Sequence, residues 1–536
     1  MNKNADIVLK NGKVFNGIEE RPFNGAVAIK NNKIQRVGKN EEIKNLIGEN
    51  TKVYDCTGKL ISPGFNDGHT HITYGAFLMD PDFGLNFAGE TDKNVFLKQL
   101  KKFADKHPNN QWVYGYNAGW SASNIPNRFE LDDTIGDRPV VVQHMDGHSM
   151  VVNSLSLEKC KFDENTSFPE GGKFGMTKDG KLDGIMYDDA TFMFSEMLYN
   201  PEDKEFKRIY RNFLAEAKKF GITAAGELYP TFVGKEDVYS IFKEFEEAGE
   251  LTMRLEFPVR LITFDIAEYK AKCEKYHSDK LCCKGTKELV DGVITVHTAL
   301  MLEPYSDDPT TRGCTTNPMD DIHDGVLRAC KAGVPVRLHC IGDGAVRIGL
   351  DFLEKGEELY GYHGERHGIE HIESCHPDDI KRFKELNVCA NMQPMHAVFD
   401  TEAEEVFRGD RCKWCWPMRD LLDTGAIISM GTDFPIVGIN PFHSLYAAVT
   451  RKDPFGKMEK GWQIHQAITI GEALKAHTYG SAYSQTREDR IGSIKEGMLA
   501  DVIVIDRNLF EIDCEKIKDA AVVLTIFDGK VIYDMM

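Results

Sequence analysis

The chain has 536 residues, enough to bury a large core and to build several ordinary domains or one large barrel with additions. Its formal net charge of -19 argues against nucleic acid and anionic membranes as partners and describes an acidic, soluble surface. No run of about twenty apolar residues is present, so no transmembrane span is expected.

The first residues, Met1 to Asp6, lack the apolar centre of a secretion signal. The 13 scattered cysteines fit reduced thiols in a cytosol better than a disulfide framework. Residues 6–62 then read as short strands with hairpin turns. Ile7-Val8-Leu9 precedes Asn11-Gly12, Ala26 to Ile29 precedes Asn31-Asn32, and Ile34 to Gly38 follows. The C-terminus has the same character in Ala500 to Ile505, Ala521 to Ile526 and Val531 to Tyr533, with Asp528-Gly529 as a turn. The two β-rich ends are expected to form one small sheet domain together.

Between them, residues 63–490 alternate apolar strands with amphipathic helices, the signature of a parallel α/β fold. Phe206 to Phe220 is a helix with Phe206, Ile209, Tyr210, Phe213 and Ala217 on one face, ending at Gly221 before the strand Ile222 to Ala225. Val238 to Ala248 is another, stopped by Gly249 before the strand Met253 to Val259. From about 80 to 200 the alternation is interrupted. Gly171 to Gly175 and Lys178 to Lys181 look like hairpin turns there, and the region is expected to be an insertion placed over one end of a barrel.

The chemistry-bearing residues fall at strand ends. Ser62 to His71 leads through a Pro63-Gly64 turn into His69 and His71, whose i, i+2 spacing on a strand turns both imidazoles to one side. Buried-strand patterns further on end in His339, in His371 and, after Gly431-Thr432, in Asp433. Lys287 lies on a strand that should be largely internal. Polar residues at the C-terminal strand ends of a parallel barrel read as catalytic, and imidazoles with a carboxylate suit a divalent metal. Buried without such a partner, each would carry a desolvation cost.

This set resembles the amidohydrolase superfamily, and more closely its family 3 branch. Supporting phrases run through nearly the whole chain, among them Pro63 to His71, Asp146-Gly147-His148, Gly221-Ile222-Thr223, Lys287 to Gly292, His339 to Asp343, Ile369-Glu370-His371, Gln393-Pro394 with His396, and Gly431-Thr432-Asp433. The resemblance implies a (β/α)8 TIM-like barrel over 63–490, with the insertion at about 80–200, and a small composite β-sandwich from 1–62 plus 491–536. It also implies a metal centre of one or two ions, zinc being the expected metal. His69 and His71 would hold the more buried ion, a carboxylated Lys287 would bridge, His339 and His371 would hold the second, and Asp433 would bind the first together with its water. Glu227 is the alternative carboxylate ligand. The implied reaction is hydrolysis of a non-peptide C–N bond in a small molecule, an N-acyl or N-formyl amide above all. A metal-bound hydroxide would attack, with Asp433 as general acid/base. A deaminase, a cyclic-amide hydrolase or an inactive scaffold relative are the alternatives, and the resemblance admits a homodimer.

Four further residues are read as substrate-binding: His148, Tyr305, His396 and Arg337. Arg337 shares a strand face with His339 and suits a substrate carboxylate, with an ion pair to an interior acid as the competing role. Cys412-Lys413-Trp414-Cys415 lacks the second pair a structural zinc needs.

Overall fold

The computed structural model describes residues 4–121, 124–145, 149–167, 172–228, 237–399 and 401–536. These divide into two compact units, one of Met1–His71, Leu214–Tyr229 and Phe245–Met536, the other of Ile72–Phe213 with a short segment ending at Glu244.

In the first unit, eight parallel strands run in chain order around a barrel: Phe65–Thr70, Ile222–Glu227, Arg254–Arg260, Leu281–Leu289, Val336–Cys340, Gly368–His371, Cys389–Met392 and Ile428–Met430. The last meets the first across its upper end, where the Asp433 N–H donates to His69 O at 2.8 Å and the His71 N–H to Phe434 O at 2.8 Å. Helices between strands follow the expected punctuation. Asp203–Ala217 runs into a short 3-10 turn and stops at Gly221, whose φ of 72° no β-carbon favours, and Tyr239–Glu247 precedes Gly249.

The fifth strand shows why the barrel forms. Val336, Leu338 and Cys340 are fully buried on one side, while Arg337 and the next-but-one residue His339 face the interior. That interior is polar. Asn66 donates to Gln485 at 2.8 Å, Asn391 to Glu370 at 2.8 Å, and Ser484 to Asn391 at 2.8 Å. Two glycines make room for this cargo. A β-carbon at Gly68 would lie 2.3 Å from Ser429 Oγ, and one at Gly226 would lie 2.9 Å from Gly68 O and 3.3 Å from the Arg337 guanidinium.

The chain termini share one eight-stranded sheet, as the β-rich ends suggested. Its path runs Lys530–Asp534, Val522–Phe527, Val502–Ile505, Leu60–Pro63, Ile7–Val14, Phe23–Lys30 and Lys33–Gly38, with Lys52–Asp55 beside Ile7–Val14. Ile7, Leu9, Val27, Ile29, Val502, Val504, Leu524 and Ile526 form its core.

The second unit holds more than the helix and hairpin elements read from the sequence. It carries a six-stranded sheet in the order Lys173–Met176, Leu182–Tyr187, Ser149–Val152, Val140–His144, Val113–Ala118, Gly84–Asn86. The stretch Lys173–Met176, taken for part of a turn, is a strand, because it pairs antiparallel with Leu182–Tyr187 across the true turn at Gly180. Among the described residues no helix is long and apolar enough to cross a membrane.

One buried ion pair ties the third barrel strand to the terminal sheet. Arg254, fully buried, donates to both Asp501 oxygens at 2.6 and 3.0 Å and to Asp528 at 3.1 Å. Removing Asp501 takes away both of the bonds it accepts from Arg254 and leaves the buried guanidinium a single carboxylate contact, at 3.1 Å with the partly buried Asp528. Asp501→Ala is expected to lower the unfolding free energy by about 3–5 kcal/mol, read by urea denaturation; a change under about 1 kcal/mol, the range of an exposed pair, would contradict this role.

Candidate metal centre

At the upper end of the barrel four imidazoles gather around Asp433. His69 Nε2 lies 3.5 Å and His71 Nε2 3.1 Å from the same oxygen, Asp433 Oδ1. On the other oxygen, Oδ2, His396 Nε2 lies 3.5 Å away and His371 Nδ1 4.0 Å. The His339 ring packs edge-on against His371, centroids 4.2 Å apart, and His371 against His69 at 4.8 Å. One ligand atom from each of His69, His371 and Asp433 lies within 4.8 Å of the others, all three residues being buried. Lys287, on the fourth strand beside Arg337, is also buried, and its charge acts on His69 and His339.

Backbone conformation brings two of these residues to the centre. His371 follows Glu370, which faces inward, and pairs with Cys340, which lies on the outer side of its strand. Strict alternation would therefore turn His371 outward. Its φ of 73° breaks the alternation, and Asp433 has φ 59°. Non-glycine residues in this region carry strain of about 1–3 kcal/mol, which collects at functional sites.

Glu370 sets the orientation of His69. This carboxylate is completely buried and is held ionised: burial alone would raise its pKa, but Arg337, Lys287 and His69 outweigh that. Arg337 binds it through Nε at 2.6 Å and Nη2 at 3.1 Å, and donates to Gly68 O at 2.9 Å. A carboxylate only accepts, so His69 Nδ1, 2.6 Å from Glu370 Oε2, carries the proton and donates. Burial pushes the His69 pKa down to about 4, so the ring is neutral and Nε2 presents a lone pair to Asp433 Oδ1.

That oxygen is also negative. Burial acts to raise Asp433, but the imidazoles of His71 and His396 hold it ionised. Two acceptors facing each other repel unless a cation or a proton lies between them. Burial likewise lowers His339 to about 3 and His371 well below its ordinary value, leaving both as neutral nitrogen donors. Neither Lys287 Nζ nor His371 Nδ1 has a hydrogen-bond partner among the described residues. Burial brings Lys287 down to about 8, within reach of the neutral amine that ligation or carbamate formation requires. Neutral imidazoles, an ionised carboxylate and orphaned buried donors fit a divalent cation. Glu227, buried at the end of the second strand, acts on His71 by its charge.

The remaining sequence-derived residues divide. His396 joins the group, with Nδ1 3.6 Å from Glu373. Tyr305 is buried in an apolar cluster with Ile294, Ala299, Met301 and Ile341, and its hydroxyl donates to Ala299 O at 2.7 Å. Arg337 is corrected from a substrate-binding role: its guanidinium is spent on Glu370, the competing ion-pair role. His148 lies outside the described residues. Cys412 and Cys415 are unbridged, and Cys415 Sγ accepts from Arg408 at 3.0 Å. Glu370, Glu373 and Gln393 were given no role from sequence. Glu370 is discernible as the interior acid that Arg337 requires, and Gln393 falls in the Gln393-Pro394 phrase of the resemblance without a role; Glu373 carries no signal beyond closeness to His371.

Residues 52–533 match the model of the amidohydrolase family. The chain is 28% identical to Protein LONG AFTER FAR-RED 3 of Arabidopsis thaliana, over 99% of this chain and 92% of that protein. It is 23% identical to the N-substituted formamide deformylase of Arthrobacter pascens, over 100% of this chain and 99% of that one. Its fold is similar to that of an uncharacterized metal-dependent hydrolase from Pyrococcus furiosus, with a TM-score of 0.76 at 24% identity, covering 94% of this chain and 99% of that one. With a family match over nearly its whole length and the eight-stranded parallel barrel that match leads one to expect, the chain belongs to the amidohydrolase family and is a hydrolase of carbon–nitrogen bonds.

Proposed function

We propose that this protein hydrolyses the amide bond of a small N-formyl or N-acyl amine at a divalent metal centre, zinc being the metal best suited to the donors. The observation that carries the reading is the convergence of His69, His371 and Asp433 within 4.8 Å at the barrel mouth. His71, His339 and Lys287 would complete the centre, Lys287 as the neutral amine or as a carbamate that offers two oxygens to a pair of ions. The relative named for deformylation of N-substituted formamides supports an N-formyl or N-acyl substrate. On this reading residues 63–490 are the hydrolase domain, with an insertion at about 80–200. Thirteen unbridged cysteines fit a reducing compartment such as the cytosol.

A bound divalent cation supplies Lewis acidity, polarising a carbonyl and bringing the pKa of a water toward about 7. The protein's own groups handle the protons. Asp433, held ionised by His71 and His396, accepts the proton of the attacking water at a carboxylate oxygen. It returns that proton to the departing nitrogen, which must be protonated to leave as an amine. His396, 3.5 Å from Asp433 Oδ2 and beside Glu373, is in place to hydrogen-bond the substrate oxygen as it gains negative charge. Glu370 holds His69 in one tautomer with its lone pair aimed at the centre.

Two outcomes follow. Asp433→Asn should lower turnover of an N-formyl amine by about 10³-fold or more while metal analysis still finds most of the metal; near-normal rates would remove Asp433 from proton transfer. Glu370→Gln should weaken metal binding by about 10–100-fold in competition with a chelator, and unchanged affinity would show that His69 needs no such support.

A further inference from the structure

Gln393 is the buried polar side chain at the barrel mouth that a metal centre leaves unexplained. It follows the seventh strand directly, is 1% exposed, and neither its Oε1 nor its Nε2 has a hydrogen-bond partner among the described residues. Leaving one such atom buried and unpaired costs about 1–3 kcal/mol. Both ends of one carboxamide left bare mark a site awaiting a ligand.

The backbone shows which way the side chain faces. Asn391, two residues earlier, points into the barrel and donates to Glu370 Oε1 at 2.8 Å. The seventh strand ends at Met392, and no residue from 388 to 395 has a positive φ that would reverse its alternation as at His371. Carried one residue on, that alternation puts Gln393 on the inner side with Asn391. Its carbonyl accepts the His396 N–H at 3.1 Å, which ties it to the turn carrying His396 to Asp433.

The chemistry of the two ends is decisive. Orphaned imidazole and amine nitrogens at this centre are lone-pair donors that a cation can satisfy. Gln393 Oε1 is an acceptor on a neutral group outside the metal-type set, and what it needs is a hydrogen-bond donor. An amide substrate offers its carbonyl oxygen to a Lewis acid and has one polar hydrogen, on nitrogen. We infer that Gln393 Oε1 accepts the substrate's amide N–H, which makes the protein selective for amides that retain an N–H over fully N-substituted ones. Its Nε2 then serves a further acceptor, on the substrate or a water. This assignment rests on the amide reading given above and adds the substrate class within it.

The test is a calorimetric titration of the metal-loaded full-length chain carrying Asp433→Asn, with N-benzylformamide and N-benzyl-N-methylformamide as probes. The first should bind about 10–100-fold more tightly, the equivalent of one buried acceptor left unpaired by the second. Adding Gln393→Met should weaken the first probe to the level of the second and leave the second within about 3-fold. Adding Gln393→Glu, which keeps acceptor oxygens and loses the donor, should preserve the preference and serves as the decisive variant if the methionine form does not fold. Equal losses for both probes, no loss, or binding of neither would overturn the assignment. A preference lost with Gln393→Met in a protein whose unsubstituted form hydrolyses no amide would instead overturn the proposed reaction and leave this assignment standing.

Discussion

The buried contact between His69 and Glu370 is the constraint on which the centre depends. A carboxylate removed from water is tolerable only if its charge is met and its lone pairs are used. Arg337 meets the charge, and His69 and Asn391 add hydrogen bonds to the same two oxygens. The consequence is directional. With Nδ1–H fixed on Glu370, His69 turns a lone pair toward Asp433, and the rest of the cluster forms around that axis.

The barrel accommodates this arrangement by departing from an apolar interior of branched side chains. Gly226 surrenders volume where Arg337 lies, and Gly68 does so beside Ser429 and Ser481. Asn66, Asn391, Ser484 and Gln485 extend hydrogen bonds through the interior. Stability is drawn instead from the outer faces of the strands and from ties such as Arg254 to Asp501 and Asp528. At the mouth, left-handed backbone at His371 and Asp433 spends a little of that stability to turn both side chains inward.

Much of this was legible in the sequence. The alternation of apolar strands and amphipathic helices gave the parallel α/β pattern and the β-rich termini gave their shared sheet, because hydrophobic periodicity reports burial directly. Closure of that pattern into a barrel came from the family resemblance. The partners of the ligands were harder to read. Glu370 looks like any strand acid until its register opposite His339 and Asn391 is known, and Gln393 stands in a family phrase that assigns it no role of its own. Arg337 invited two roles that only the position of Glu370 separates. The sheet of the second unit was under-read because Lys173–Met176 is short and rich in glycine and lysine, and its strand character comes from pairing with Leu182–Tyr187.

Nitrogen and oxygen donors from five strands would meet around a cation at the barrel mouth. Anomalous diffraction from crystals of the zinc-loaded protein, recorded on either side of the zinc absorption edge, tests this convergence most directly. The account predicts a peak within bonding distance, about 2.0–2.2 Å, of a nitrogen of His69 and an oxygen of Asp433. A protein saturated with zinc whose anomalous peaks all lie elsewhere would contradict it.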